Sequence, residues 1–184
     1  MLEALTGAKV SSADGPLRVA RYRSHQWDAA EPETADVMTT AGSALAEAGA
    51  EVVDVDPLGH LEEVFDAANS VLHYEIARVF AWERDHHYDL ISPLVQKMLA
   101  RAEGISHDQY RKAHRGLTRA REAHARYMDG EGFDAILTPS APGEAPPIKT
   151  TGDSVFNRVW TALGVPTAHV PLGVGPAGLP VGVQ

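Results

Sequence analysis

The chain contains no cysteine. That excludes disulfides, thiolate zinc sites and a cysteine nucleophile. Long apolar runs are missing too: nothing approaches the roughly 18 consecutive apolar residues of a membrane span. Met1–Val10 also lacks the basic-then-apolar order of a secretory leader, so the expected location is cytoplasmic, with no membrane partner. Positive charge is scarce. Lys and Arg number 16 against 25 Asp and Glu, a formal net charge of -9, which argues against nucleic-acid binding by the whole surface. What remains is a 184-residue chain, 44% hydrophobic and 22% charged. This is the composition of a globular protein able to bury a core, either one domain or a large piece of one.

The first third reads as strand, helix, strand. Leu17 to Tyr22 and the run Val52, Val53, Val55 are rich in β-formers. Between them Pro32 suits a first helical turn, with Glu31 and Glu33 at the positive end of the dipole. Met38, Ala41, Leu45 and Ala48 follow at helical spacing and Gly49 ends the run. Two strands joined by a helical crossover should be parallel. From Leu58 to Asp129 the period is helical. Leu61, Phe65, Ala68, Leu72, Ile76 and Val79 predict one long amphipathic helix. Ser92-Pro93 opens a second, with Leu94, Val95, Met98 and Leu99 as its apolar face and Gly104 as its stop. Ser106 and Gln109 form a capping box for a third, carried by Tyr110, Ala113, Leu117, Ala120 and Tyr127.

The last third returns to strands. Ala135 to Thr138 is short and apolar, and the loop after it carries Pro139, Pro142, Pro146 and Pro147. Asp153 is placed to cap a helix containing Phe156, Val159, Trp160 and Leu163, which Gly164 and Pro166 should end. Thr167 to Pro171 and Leu179 to Val183 predict two strands around a glycine-rich turn, Gly173 to Gly178. The fold class expected is α/β, mixed sheet strands with a helical layer, in three stretches of one domain: 1–57, 58–130 and 131–184. Both termini read as interrupted: Met1 to Leu5 like a helix tail, and Pro-Val-Gly-Val-Gln like a strand cut short.

Three segments, taken in order, carry a family likeness. Phe133, Asp134, Leu137, Thr138 and Pro139 form a strand entering a proline-rich loop. Phe156, Trp160, Leu163, Gly164, Pro166 and Pro171 form a helix, turn and strand. Gly178, Leu179, Pro180, Gly182 and Gln184 form a final strand. Together they resemble the C-terminal portion of amidase signature enzymes, with weaker likeness at Trp27–Pro32, Ala48–Val53 and Ala81–His87. The same glycines and prolines also have sufficient backbone reasons as strand ends, helix stops and turns.

The resemblance implies a partial amidase-signature fold and hydrolysis of a small carboxamide through an acyl-serine, with no metal or organic cofactor. It places the catalytic lysine and two serines upstream. A serine needs a base within reach and donors for the oxyanion, yet the only paired serines here, Ser11 and Ser12 beside Lys9, lack the preceding glycine pair. No G-x-S-x-G elbow occurs. The chain therefore offers no catalytic residue of its own. Substrate contacts are expected from Thr138 and Ser140, at the C-terminal end of a strand where α/β ligands bind, and from Phe156 and Trp160. For Trp160, which lies on the apolar stripe of its helix, core packing competes with that role.

Other branches are disfavoured. Gln96, Lys97 and Met98 stand where the tRNA amidotransferase subunits resembling this segment carry paired arginines. Asp85, His86, His87 and Asp89 are metal-capable, but neighbours on a helix diverge by about 100°. Arg111, Lys112, Arg115, Arg119, Arg121 and Arg126 circle their helix without an aromatic platform, so they predict a solvated face and no nucleic-acid partner. The alternative function is a noncatalytic interaction module built on an amidase remnant. Either way, a scaffold missing its preceding half should expose apolar area and unpaired strands, and be oligomeric, possible as a homo-oligomer, or aggregation-prone.

Overall fold

The computed structural model describes residues 15–184; Lys9, Ser11, Ser12 and the helix-tail reading of Met1 to Leu5 lie outside the described residues. β1 (Arg18–Tyr22) pairs in parallel with β2 (Glu51–Val55) on one edge and with β3 (Ala135–Leu137) on the other. The order is β2-β1-β3. β1 is central, so both its edges are paired, and helices pack on both its faces. Val19 points into a cluster with Val37, Met38 and Ala41 of α1 (Pro32–Glu47), while Tyr22 points into a second cluster with the helices of the opposite layer. Period-two alternation in one strand thus joins two cores. Pro32 occupies the first turn of α1, and Gly49 (φ 95°) turns the chain into β2, as the sequence predicts.

The opposite layer comprises α2 (Val64–Val79), α3 (Ala81–His86), α4 (Pro93–Ala102) and α5 (His107–Glu131). Both predicted caps form: the Ser92 hydroxyl accepts from the Val95 amide, and Ser106 and Gln109 complete a reciprocal box. Ser106→Ala removes one acceptor and loosens the other, so it should cost about 1 kcal/mol. A urea titration checks this, and no change in midpoint would mean that the first turn of α5 is held by packing alone. α5 ends at Gly132 in the left-handed region, φ 66°.

Several expectations need correction. The long helix predicted from Leu61 begins at Val64, since Leu61 belongs to a 3-10 turn (Gly59–Leu61). Its predicted apolar face is also rotated. Val64, Ala68 and Tyr74 are buried, whereas Leu72 is 41% and Val79 is 74% exposed. Apolar spacing alone did not reveal that Tyr74 stacks on Tyr110 with ring centroids 4.2 Å apart. Leu94 of α4 and Ala48 after α1 are exposed as well. Asp153 caps nothing: α6 (Arg158–Leu163) starts five residues later, and Asp153 instead faces Arg158 across 3.9 Å. The strand predicted from Thr167 begins at Val170, giving β4 (Val170–Val174), which pairs antiparallel with β5 (Pro180–Val183). This hairpin packs Val181 and Val183 against α1.

Candidate functional site

The C-terminal end of β3 is where the predicted site residues meet. Thr138 and Gln184 exchange two backbone hydrogen bonds of 2.9 Å, and Pro139 bridges Val183. The Gln184 amide then donates to the carbonyls of Pro139 (2.7 Å) and Phe156 (3.0 Å), tying the strand end to the turn before α6. Ser140 donates its hydroxyl to the Gly182 carbonyl at 2.8 Å, and its own carbonyl accepts from Asn157 at 2.9 Å. The hydroxyl of Ser140 is thus engaged with the scaffold.

The other three predicted residues are buried. Phe156 is 2% exposed and Trp160 5%. Trp160 meets Tyr22 edge to face at 5.9 Å and His124 at the same distance. Thr138 is buried too, and its Oγ1 has no hydrogen-bond partner, an arrangement that costs free energy unless something meets it. Thr138 and Trp160 both line a cavity of about 540 Å³, along with Ile136, Leu163, His124 and Gln184. Ser140 and Phe156 do not line it. The structure therefore joins two of the four residues in one concavity and puts the other two into its support.

Sequence reasoning missed a histidine pair. His60 Nε2 and His124 Nδ1 lie 3.2 Å apart, one donating and one accepting. His124 follows Leu117 and Ala120 on the buried stripe of α5 at seven and four residues, so the helical period carried the signal. Burial holds both imidazoles below the usual 6.5; the charge of His25 adds to this at His60, and that of His60 at His124. His73 is lowered for the same first reason, with Arg101 and Arg158 adding to it. The unfolded chain therefore binds protons below pH 6.5 that the folded chain refuses, so stability falls as pH drops through that window and is fully present above it. The melting temperature should decline between pH 7 and 5, and His124→Gln should flatten the decline. An unchanged slope in that variant would remove the pair from the account.

Tyr22 hydrogen-bonds His25 Nδ1 at 2.8 Å, and burial pushes its phenol up to about 12, so it remains protonated near neutrality. The three described lysines, Lys97, Lys112 and Lys149, are all exposed. Asp85 pairs with Arg84 at 2.9 Å and His86 Nδ1 meets the Trp82 carbonyl at 2.9 Å, which gives the acidic and histidine-rich stretch local structural roles. Among the described residues no group of three or more His, Asp or Glu is arranged to hold a metal ion, and no helix is long and apolar enough to cross a membrane. Arg121 of the basic helix is engaged as well, bonding the Ala162 carbonyl at 2.7 Å.

A parallel sheet with helices on both faces, and neutral polar groups gathered at the end of one strand, define an α/β scaffold with a cavity beside its sheet. The pattern of the family described as Amidase matches residues 3–184. The chain belongs to the amidase signature family.

Among its relatives, 2-amino-5-chloromuconic acid deaminase of Comamonas testosteroni is 29% identical over 186 residues, covering 91% of this chain and 38% of the relative. Indoleacetamide hydrolase of Allorhizobium ampelinum is 28% identical, with 91% and 42% covered. A glutamyl-tRNA(Gln) amidotransferase subunit of a Ruegeria species is 26% identical, with 88% and 39% covered. A crystal structure of an amidase superposes with a TM-score of 0.80 at 26% identity, over 99% of this chain and 44% of that one. The chain spans about two fifths of the length of the curated relatives it matches.

Proposed function

We propose that this chain is the C-terminal part of an amidase that hydrolyses a small carboxamide through an acyl-serine, its lysine and serines being supplied by sequence upstream of these 184 residues. The family match over residues 3–184 is the observation that carries this reading. Residues 1–57, 58–130 and 131–184 then act as three stretches of one amidase domain. Thr138 and Trp160, which line the cavity beside β3, are the substrate-side residues of this chain, with Ser140 and Phe156 supporting them. No cofactor enters, and the working compartment is the cytoplasm.

The 184-residue chain alone should release no ammonia or amine from acetamide, benzamide or a panel of aryl amides. Joined to in-frame upstream sequence that encodes G-G-S-S and a lysine, it should. Turnover by the chain alone that Ser11→Ala or Ser12→Ala abolishes would overturn the assignment. The second reading, a noncatalytic interaction module, is favoured by the apolar side chains exposed on the helical layer: Val79 at 74%, Trp82 at 59%, Leu90 at 77% and Leu94 at 57%.

A further inference from the structure

The loop that leaves β3 runs along β5 in register. Thr138 stands opposite Gln184, Pro139 opposite Val183, and the Ser140 hydroxyl reaches the Gly182 carbonyl. Opposing residues of an antiparallel pair step in opposite directions, so the same register, carried on, brings Glu144 opposite Gly178. The Glu144 carboxylate accepts from the amides on either side of that glycine, Ala177 at 2.9 Å and Leu179 at 2.9 Å. A side chain thus continues a pairing that the main chain began.

The main chain cannot continue it alone. Pro139 and Pro142 have no N–H to give, and around Pro142 the loop bends toward α1, where the Pro142 carbonyl accepts from the Glu31 amide and the buried Thr34 hydroxyl, each at 2.7 Å. Glu144 returns it to the hairpin. Burial ends there: Glu144 is half-buried and residues 145–154 are all exposed. The hairpin leaves room for the carboxylate arm, since a Cβ at Gly175 would collide with Glu144 Cγ. Charge opposes a carboxylate at this position. The Glu31 carboxyl is held above its usual range, first by its hydrogen bond with Glu33, then by desolvation and the charges of Glu33 and Glu144. Like charges near the surface are screened, whereas two charge-assisted bonds to backbone amides are strong, so the bonds prevail.

We propose that Glu144 is a positioning residue, clamping the loop Thr138–Glu144 along β5 and so fixing the backbone that presents Thr138. The pairing at Thr138 has few bonds of its own, because Pro139 beside it donates none, and it therefore depends on the anchor at the far end of the loop. Its bearing on substrate rests on the hydrolase reading above; the clamp itself does not.

The test is amide hydrogen exchange on the 184-residue chain and three variants. Glu144→Ala removes the acceptor, while Gly175→Ala keeps the charge and fills the space that the side chain occupies. Both should speed exchange roughly tenfold at Ala177 and Leu179, the scale of one charge-assisted hydrogen bond, and also at Thr138, whose amide donates to the Gln184 carbonyl. Glu144→Gln keeps one oxygen able to accept from both amides, as Oε1 does at 3.1 and 2.9 Å, and should stay within about threefold of the parent. Exchange at Leu117, in the core of α5, should not change. Three results would overturn the inference: Thr138 unmoved in both alanine variants, Glu144→Gln as fast as Glu144→Ala, which would make charge the cause, or equal acceleration at Leu117, which would make the loss global. These rates need no turnover. An absence of amide hydrolysis by the chain joined to its upstream sequence would sink the hydrolase reading and leave the clamp standing.

Discussion

Replacing Trp160 with alanine is expected to lower stability by about 3–5 kcal/mol, the usual cost of emptying a large aromatic site in a packed core. Trp160 is 5% exposed and sits among Tyr22, Leu58, Leu61, Leu117 and Leu163, where strand β1 meets the helical layer. Its edge-to-face contact with Tyr22, 5.9 Å between centroids, adds a specific aromatic term. The adjoining cavity gives the site little ability to close over the loss. Trp82→Ala is the matching control, since that indole is 59% exposed; its effect should stay within about 0.5 kcal/mol, as for ordinary surface positions. Urea midpoints followed by circular dichroism separate the two. A loss at Trp160 no larger than that at Trp82 would mean the helical layer is not packed on the sheet.

Gly182→Ala is expected to detach the β4–β5 hairpin, at a cost of about 3 kcal/mol, the upper end for overpacking. A Cβ at Gly182 would collide with the Val170 carbonyl oxygen and lie 2.9 Å from Pro171 Cα. These are backbone atoms of the paired strand, so the clash cannot be relieved by a rotamer change. Opening the hairpin would withdraw Val181 and Val183, each 3% exposed, from their contacts with α1. Gly116 provides the contrast. Nothing lies within 4 Å of a Cβ built there on α5, so Gly116→Ala should stabilise by about 0.5–1 kcal/mol through its higher helix propensity. Faster exchange across residues 170–183 in Gly182→Ala, and not in Gly116→Ala, checks both. A native exchange pattern in the first variant would show that the hairpin can shift to admit a methyl group.

Much of the fold was legible because its signals are local. Pro32 opening α1, the Ser106–Gln109 box, Gly164 in the left-handed region and the short β-rich runs depend on neighbours within a few residues. The parallel pairing of β1 and β2 followed from the intervening helix. The family likeness was legible for a related reason, since it rests on the order and spacing of strand ends and turns.

What stayed hidden depends on partners distant in sequence. The rotated face of α2 follows from Tyr74 finding Tyr110 on α5, and no period within α2 encodes that choice. Of the predicted site residues, Ser140 turned out to hold Gly182 and Phe156 to fill the core, while His124 gained its role only when α5 brought it to His60. The strand predicted from Thr167 begins only at Val170, where the ladder with β5 starts. By itself the sequence determined the type and order of the elements and several of their ends, because caps, turns and propensities are short-range. The tertiary structure alone decided which faces are buried and which hydroxyl is left unpartnered, because those depend on contacts across the whole chain.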